Sequence, residues 1–337
     1  MEKMKIGDTG IEVSRVSLGT LSIGGESVWG DSDDGESIRT IHRAFDLGIN
    51  FFDTAPVYGF GRSERLLGKA VGANRDKFII SSKCGLVWDI TEGPIIYSRD
   101  GYDVRRNTTA KNIKREIDLT LGRLNMEYID IYYTHWQAVD EFPVPIEETM
   151  GAMMDLKKAG KIRVVGASNV NLEQVREYLK YGSLDIIQNR FSMLDQMSFR
   201  TLNQTLLDHN ITFHAYSPFE RGLLTGAVDM NFVVNAGDAR SAVKWYEPAR
   251  RREVLDMLES WQPLCRKYNC SLAGLAVAWM AQQAPNINVD AGSRRVKAIE
   301  ENARGGEFIF EAEDLAAVNG QVNSLVDKYA SEAKMPR

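Results

Sequence analysis

Short apolar runs alternate with helix-like segments along the whole chain. Several of the runs are rich in β-branched or aromatic residues, which is typical of buried parallel strands. They predict eight strands, at residues 15–18, 51–53, 78–83, 129–134, 164–167, 186–189, 213–216 and 288–291. Between them, apolar residues at helical spacing, such as Ile113, Ile117 and Leu121, predict amphipathic helices. These helices are predicted at residues 33–47, 63–71, 109–124, 146–158, 171–180, 198–208, 249–268 and 294–303.

Eight strand-then-helix units predict an α/β fold, a closed (β/α)8 TIM barrel, more than an open doubly wound sheet. Ahead of the first strand, residues 4–6 and 11–13 flank a Gly-Asp-Thr-Gly turn, which predicts a β-hairpin that plugs the barrel bottom. Two long connections, residues 84–108 and 221–248, begin at strand ends. We therefore expect long loops at the C-terminal face, where barrel enzymes build their sites. The chain contains no linker or low-complexity segment, so residues 1–337 are predicted to form a single domain.

The charge balance limits the class of partner. Lys and Arg total 41 and Asp and Glu total 46, which gives a net charge of −5. An acidic chain argues against nucleic acid and against anionic membrane surfaces as partners. The longest nearly apolar stretch, residues 272–281, is far shorter than the ~20 residues of a membrane-spanning helix. A small-molecule substrate is therefore the expected partner, and the pattern leaves the oligomeric state open.

Cysteine and histidine are both scarce. The three cysteines form no Cys-x-x-Cys motif, and the N-terminus has no apolar core of a secretory signal. Both features predict reduced thiols and a cytoplasmic location. The four histidines lie at no metal-ligand spacing, so no metal site is expected. The chain also lacks the Gly-x-Gly-x-x-Gly, Walker and Gly-x-Ser-x-Gly motifs, so any nucleotide must bind without those loops.

Four ionisable residues lie at or just after the ends of successive predicted strands: Asp53, Tyr58, Lys83 and His135. In a barrel these positions converge at one mouth. Tyrosine keeps its proton at neutral pH, and a nearby ammonium lowers its pKa. Asp53, Lys83 and Tyr58 would thus form a tuned general acid, while His135 could orient a substrate oxygen. Such a site suits reduction of a carbonyl by hydride from a cofactor.

Each of the four residues also has a purely structural interpretation. A single Asp, Lys or Tyr at a strand end is more often a cap or part of an ion pair, and His135 could be a core histidine. The occurrence of all four at corresponding ends of three consecutive strands favours the catalytic interpretation.

Longer motifs carry a resemblance to a known family. The segment Phe-Asp-Thr-Ala-Pro-Val-Tyr-Gly at residues 52–59, followed by Gly-Arg-Ser-Glu at 61–64, resembles a signature of the aldo-keto reductase superfamily. Gly-Lys-Ile-Arg at 160–163 and Gly-Ala-Ser-Asn at 166–169 resemble its second signature. The resemblance runs from residue 18 to residue 302. It implies a (β/α)8 barrel, NAD(P)(H) bound at the C-terminal face and Tyr58 as the acid/base of the Asp53, Tyr58, Lys83, His135 tetrad.

The same resemblance assigns a cofactor site. Ser168, Asn169 and Gln188 would hold the nicotinamide carboxamide, Tyr216 would stack on the ring, and Glu301 and Asn302 would contact the adenine. The remaining cofactor residues are expected in loops at the barrel mouth: Gly19, Thr20, Ser217, Pro218, Gly222, Leu223, Gly292, Ser293 and Arg294.

Cofactor preference depends on the start of the last helix. Arg294 and Arg295 offer forked donors that suit a 2′-phosphate, and basic residues at a helix N-terminus oppose the macrodipole unless an anion binds there. Some relatives carry a further arginine at the position of Ala298. We therefore expect NADP(H) to be preferred, with NAD(H) possible.

Trp29, Trp88 and Trp136, with Phe219, are predicted to line the substrate pocket. The loops around His135 resemble bacterial-type members that act on aldoses and small aldehydes. The predicted activity is NADP(H)-dependent, reversible reduction of aldehydes, aldoses or small ketones to alcohols. Alternatives are an aldose 1-dehydrogenase that works oxidatively, an NADP(H)-binding regulatory subunit with the same fold, and a cofactor-free barrel hydrolase.

Overall fold

The structure is a computed structural model that describes residues 1–25, 30, 32–235 and 238–330. The described ranges contain the strands β1 (Lys3–Lys5), β2 (Glu12–Ser14), β3 (Val16–Gly19), β4 (Phe51–Asp53), β5 (Ile79–Cys84), β6 (Leu86–Val87), β7 (Ile95–Arg99), β8 (Tyr102–Arg106), β9 (Ile129–Thr134), β10 (Ile162–Ser168), β11 (Ile186–Arg190), β12 (Thr212–Tyr216) and β13 (Ile287–Asp290). The helices are α1 (Asp34–Asp46), α2 (Arg62–Val71), α3 (Ala110–Leu124), α4 (Ile146–Lys158), α5 (Leu172–Tyr181), α6 (Met197–Asp208), α7 (Pro248–Ser260), α8 (Gln262–Lys267), α9 (Leu272–Ala281), α10 (Val296–Arg304) and α11 (Ala312–Lys328).

Eight of these strands close into a parallel barrel. Strands β3, β4, β5 and β9 to β13 follow one another around the ring in chain order, and β13 returns to pair with β3, with Val289 opposite Val16. Each predicted barrel strand overlaps an observed one. The prediction of a (β/α)8 TIM barrel is therefore confirmed, and the C-terminal ends of its strands meet at one mouth.

The N-terminal hairpin closes the opposite end of the barrel, as predicted. Strands β1 and β2 pair antiparallel, with Met4 opposite Val13. Ile6, Ile11 and Val13 are buried against apolar side chains that point into the barrel from its strands. Because alternate residues of each strand face inwards, this cluster fills the bottom of the barrel and leaves the mouth for polar groups.

Both long connections lie at the mouth, and both contain more structure than the sequence pattern predicts. The first folds into a small antiparallel sheet in the order β6–β8–β7. The second contains short 3-10 turns at Glu220–Thr225, Ala239–Ala242 and Lys244–Tyr246. These segments are too short and too weakly alternating for a periodicity argument to find them.

The predicted helix at residues 249–268 is wrong in two respects. It is broken into α7 and α8 at Trp261, because Pro263 stands in the first turn of α8 and disfavours a continuous helix before it. The helix that packs against β13 and α10 is instead α9, the apolar segment 272–281. Its residues 273–281 are all buried, so it lacks the amphipathic pattern by which a surface helix is recognised.

The C-terminal helix α11 is a further element that the sequence pattern does not predict. It packs on α7, where Lys328 pairs with Glu253, and Asn319 accepts a hydrogen bond from the Trp279 indole. Across the described ranges, every helix is too short or too polar to cross a membrane.

Candidate active site

The structure brings the four predicted catalytic residues together at the barrel mouth. Asp53 ends β4, Lys83 lies near the end of β5, and His135 directly follows β9. Tyr58 lies in the tight turn between β4 and α2. A Cβ atom on Gly59, whose φ is +62°, would lie 2.2 Å from the carbonyl oxygen of Gly24, so this close approach requires glycine.

Lys83 is the centre of the site. Its ammonium is fully buried and donates hydrogen bonds to Asp53 Oδ2 at 2.5 Å, the Thr54 carbonyl at 2.9 Å and Tyr58 Oη at 3.1 Å. The second carboxylate oxygen of Asp53 accepts a hydrogen bond from Ser81 Oγ at 2.6 Å. All three ammonium donors therefore have partners, which fixes Lys83 Nζ beside the phenol oxygen.

The electrostatics of Tyr58 differ from the prediction. Burial raises its pKa well above 10, and the carboxylates of Asp53 and Asp290 add to this rise. This direction is opposite to the tuning towards neutrality that is expected from Lys83 on the sequence alone, because desolvation and the two carboxylates raise the pKa. The phenol keeps its proton at neutral pH, which is the form that a proton donor to a carbonyl requires.

His135 completes the group of four. Its ring lies edge-on to Tyr58 with centroids 6.1 Å apart, and its Nδ1 is buried without a hydrogen-bond partner among the described residues. Burial, Lys83 and Arg106 lower the pKa of His135 well below 6.5, so the imidazole is neutral. A neutral imidazole donates from one nitrogen, and its buried unpartnered nitrogen indicates a place for a ligand.

Asp290 is a carboxyl group of the site that sequence reasoning missed. It ends β13, is 8% exposed, and has one oxygen without a hydrogen-bond partner in the described part of the chain. Burial and the nearby Asp53 carboxylate raise its pKa well above 3.8. A Cβ atom on Gly19 would lie 2.7 Å from this carboxyl group. An acidic residue inside a predicted buried strand was the available signal.

The residues predicted to hold the nicotinamide form a connected polar network next to the tetrad. Asn169 Nδ2 donates to the carbonyl of His135 at 2.9 Å, and Tyr216 Oη donates to Asn169 Oδ1 at 2.6 Å. Ser168 Oγ donates to the Gln188 carbonyl at 2.8 Å. Positive φ angles at Asn169, Ser217, Glu220 and Arg221 place backbone strain at the ends of β10 and β12, which is typical of functional sites.

Some of the other predicted cofactor residues lie at the barrel mouth, whereas the side chains of others are buried inside the protein. Gly19 and Gly292 approach each other at the mouth, since a Cβ on Gly292 would lie 3.6 Å from the Gly19 carbonyl oxygen. Ser217, Pro218 and Gly222 lie in the loop after β12. The side chains of Thr20 and Leu223 are instead turned into the protein. Thr20 Oγ1 donates to the Asp53 carbonyl at 2.8 Å, and Leu223 is part of the apolar core.

A carboxylate from α1 lies against the start of α10, where the sequence did not predict one. Glu36 of α1 accepts a hydrogen bond from the Val296 amide at 3.1 Å, and this bond lowers the Glu36 pKa. Ser293 Oγ accepts a hydrogen bond from the Arg295 amide at 3.2 Å, and Arg294 donates to the Gly30 carbonyl at 3.3 Å. The helix N-terminus expected to bind a phosphate is therefore partly taken by an internal anion.

Glu301 and Asn302, the predicted adenine contacts, lie on α10 beyond this carboxylate. Asn302 is 3% exposed, whereas Glu301 lines an outer cavity of about 630 Å³ between α10 and the turn before α9.

Two of the three predicted tryptophans can be placed near the tetrad. Trp88 contacts Phe60 edge-on, with centroids 5.5 Å apart, in a cluster that includes Tyr58. Trp136 is 39% exposed beside the Arg106 guanidinium, whose Cζ lies 5.4 Å from the ring centroid. Trp29 lies outside the described residues. Phe219 is half-buried and packs against the main core.

Taken together, the groups at the mouth fit a nicotinamide dinucleotide. The unpartnered His135 nitrogen, the neighbouring Gly19 and Gly292 and the strained loop after β12 all lie at the C-terminal ends of the barrel strands. Within the described ranges no group of three His, Cys, Asp or Glu side chains could hold a metal ion.

Comparisons with known proteins agree with this geometry. The model of the aldo/keto reductase family matches residues 15–322. The chain is 41% identical over 304 residues to an NADH-specific methylglyoxal reductase of Escherichia coli K12, covering 90% of this chain and 92% of the relative. It is 33% identical to the aldo-keto reductase YhdN of Bacillus subtilis 168, covering 100% of this chain and 98% of the relative. Among solved structures, a glycerol dehydrogenase from Gluconobacter oxydans superimposes with a TM-score of 0.87 at 30% identity, covering 99% of both chains.

Proposed function

Because the chain belongs to the aldo/keto reductase family and is an oxidoreductase, we propose that it reduces small aldehydes, α-oxoaldehydes among them, to alcohols. The observation that carries the proposal is the position of Lys83 Nζ, which bridges Asp53 and the Tyr58 hydroxyl beside an unpartnered His135 nitrogen. Aldoses and small ketones belong to the same proposal, because the tetrad acts on the carbonyl group alone.

Each residue of the tetrad has one task in this reaction. A reduced nicotinamide dinucleotide supplies the hydride when bound. The protonated Tyr58 hydroxyl donates its proton to the carbonyl oxygen, and the Lys83 ammonium, held by Asp53, stabilises the phenolate that remains. His135, as a neutral imidazole, donates a hydrogen bond that orients the same oxygen.

The choice between NADH and NADPH depends on two opposed groups at the start of α10. Arg294 supports NADP(H), the cofactor that the sequence predicts. Glu36 opposes it, because its carboxylate takes the Val296 amide and repels a 2′-phosphate, whereas it can accept hydrogen bonds from ribose hydroxyls. We propose that NADH is the favoured cofactor and that NADPH is used less well. The NADH-specific relative supports this choice.

The substrate pocket supports a small, oxygen-rich substrate. Trp136 offers an aromatic wall, and the half-buried Arg106 guanidinium beside it can donate to a second oxygen next to the carbonyl. Methylglyoxal, the substrate in the name of one relative, has such a second oxygen. A cytoplasmic location and a single domain over residues 1–337 remain proposals from the sequence.

A coupled assay tests the proposal. The purified chain is offered methylglyoxal, small aldehydes, ketones and aldoses with NADH and NADPH, and the corresponding alcohols and aldoses with the oxidised cofactors. We expect reduction of aldehydes to be the fastest reaction. Turnover that is fastest for aldose oxidation would support the aldose 1-dehydrogenase instead, and tight dinucleotide binding without turnover would support the regulatory subunit.

A further inference from the structure

The end of helix α8 brings two cysteines together. The Cys270 amide donates to the Cys265 carbonyl at 3.0 Å, and the Asn269 amide donates to the Arg266 carbonyl at 3.3 Å. Asn269 has a φ of 48°, in the left-handed region. This is the Schellman arrangement of a helix C-terminus, in which the first and the sixth residue of the motif bring their side chains into contact. In most helices that contact is apolar, but here it is a pair of thiols.

The two thiols differ in burial and in pKa from the third cysteine of the chain. Cys265 and Cys270 are free thiols, of which Cys265 is buried and Cys270 half-buried, and both line one cavity. The neighbouring Cys270 thiol lowers the pKa of Cys265, and Arg266 adds to this effect. Cys84 is 1% exposed, and burial raises its pKa well above 9. Because the thiolate is the reactive form, Cys265 is the expected nucleophile of the pair, and the buried Cys84 is the internal reference.

The thiol pair lines the same outer cavity as Glu301. This cavity, of about 630 Å³, is bordered by both cysteines and by Lys297 and Arg304 of α10. The Arg304 guanidinium donates to the carbonyls of Tyr268 at 3.1 Å and Asn269 at 3.2 Å, so α10 is tied to the turn that carries the thiols.

Gly274 of α9 packs tightly between this turn and α10. A Cβ atom on Gly274 would lie 3.3 Å from Cys270 Cβ and 3.0 Å from the carbonyl oxygen of Glu301. Cys270 therefore adjoins Gly274, which in turn adjoins the helix that carries the predicted adenine contacts.

We propose that Cys265 and Cys270 form a peroxide-sensitive dithiol site, whose oxidation to a disulfide weakens binding of the adenosine end of the dinucleotide. The effect on binding rests on the proposed function, while formation of the disulfide does not. The S–S bond of ~2.05 Å is much shorter than a contact between two thiols. Its formation draws Cys270 towards α8 and displaces the turn held by Arg304.

The oxidation has a balanced chemistry with a hydroperoxide as the oxidant. The Cys265 thiolate attacks one peroxide oxygen, so that an S–O bond forms, the O–O bond breaks and the leaving hydroxide takes a proton to become water. The Cys270 sulfur then attacks the sulfenic acid, so that the S–S bond forms and the S–O bond breaks. The second hydroxide leaves with the Cys270 proton as water. Two thiols thus supply the two electrons that reduce one peroxide.

The first experiment measures the modification without any reference to activity. The full chain is treated with hydrogen peroxide, denatured without reductant and titrated for thiols, followed by peptide mass analysis. We expect the three thiols of the reduced chain to fall to one, with a disulfide that joins Cys265 to Cys270 and a Cys84 that remains reduced. Retention of all three thiols, or loss of Cys84 first, would overturn the site.

Matched variants sharpen this result. Cys270→Ser removes the resolving thiol, so Cys265 is expected to accumulate oxygen adducts in place of the disulfide. Cys84→Ser keeps the pair and is expected to form the same disulfide as the parent chain. A disulfide that fails to form in Cys84→Ser would mean that Cys84 takes part, which contradicts the proposal.

The second experiment measures NADH and NADPH binding to the reduced and the oxidised chain by fluorescence titration. We expect the Kd of both to rise about fivefold to tenfold on oxidation, within the usual range of coupling between two sites, and to recover with dithiothreitol. An unchanged Kd in a chain that does carry the disulfide would overturn the link to cofactor binding. If the reduced chain binds neither dinucleotide, the proposed function fails, whereas the thiol titration still decides the modification.

Discussion

The two ends of the barrel are built from the same eight strands, yet they differ in every chemical respect. At the N-terminal end, Ile6, Ile11 and Val13 of the hairpin fill the barrel with aliphatic side chains. At the mouth, a buried ammonium and a buried carboxylate lie beside a phenol and a carboxyl group whose pKa values are strongly raised. One end therefore supplies stability, while the other holds polar groups in positions that stability alone would not select.

The difference between the two ends predicts which property each substitution should change. A change at the mouth should alter turnover with little effect on the free energy of unfolding, and a change at the bottom should do the reverse. Each prediction below tests that division, beginning with the largest expected effect.

Tyr58→Phe removes the proton donor at the mouth. We expect kcat for carbonyl reduction to fall by about 10²–10⁴, because a positioned general acid contributes that much. The Kd for the dinucleotide should stay nearly the same, since the phenyl ring is retained. Steady-state kinetics and fluorescence titration measure the two quantities. Tyr128→Phe makes the same chemical change at the start of β9, away from the mouth, and should leave kcat unaltered; equal turnover in both variants would remove Tyr58 from the mechanism.

Ile6→Ala opens a cavity at the bottom of the barrel. Ile6 is fully buried, so we expect a loss of about 2–5 kcal/mol in the free energy of unfolding, measured by urea denaturation. Turnover at a temperature where the variant is folded should match that of the parent chain. Ile95→Ala, on a half-exposed side chain of the mouth sheet, is the matched control and should cost much less stability. A large drop in kcat for Ile6→Ala would show that the two ends are coupled.

Glu36→Gln and Arg294→Ala test the charge balance at the start of α10. We expect Glu36→Gln to raise kcat/KM with NADPH about fivefold relative to NADH, because a carboxylate no longer repels the 2′-phosphate. Arg294→Ala should shift the same ratio in the opposite direction. Glu300→Gln, a neighbouring carboxylate that pairs with Arg43, is the control and should leave the ratio unchanged. Ratios that do not move in either variant would mean that neither residue meets the phosphate.

The pH profile of reduction should be flat over a wide range. The Tyr58 pKa lies well above 10, so the phenol does not lose its proton until the medium is strongly alkaline. The His135 pKa lies well below 6.5, so the imidazole stays neutral as the pH falls through that value. We expect kcat to change less than about twofold between pH 6.5 and pH 10, as measured with a buffer series of constant ionic strength. An alkaline loss of rate centred near neutral pH would mean that the pKa of Tyr58 is lowered after all.

The sequence predicted most of the fold because the barrel repeats one physical pattern eight times. Every barrel strand was found from its apolar run, and the hairpin from its Gly-Asp-Thr-Gly turn. The error at 249–268 arose because helical periodicity alone does not place a break at Pro263. Helix α9, which packs against β13, was missed because a helix buried on all sides has no amphipathic pattern.

The sequence predicted which residues form the candidate site, but it did not predict the direction in which their pKa values shift. The order of Asp53, Lys83 and His135 along successive strands was enough to predict that they meet. The rise of the Tyr58 pKa could not be predicted, because it depends on burial and on Asp290, which the barrel brings to the mouth from the last strand. Glu36 was missed for the same reason, since its contact with Val296 spans 260 positions of the chain.

The closure of β13 onto β3 also has a consequence for the order of events during synthesis. Val289 of β13 pairs with Val16 of β3, so β3 can pair with this second neighbour only after nearly the whole chain has been made. A nascent chain that stops short of residue 287 leaves two exposed strand edges, on β3 and on β12. Such edges are open to pairing with other chains. Ribosome stalling or truncation before residue 287 should therefore yield aggregates rather than a smaller active barrel.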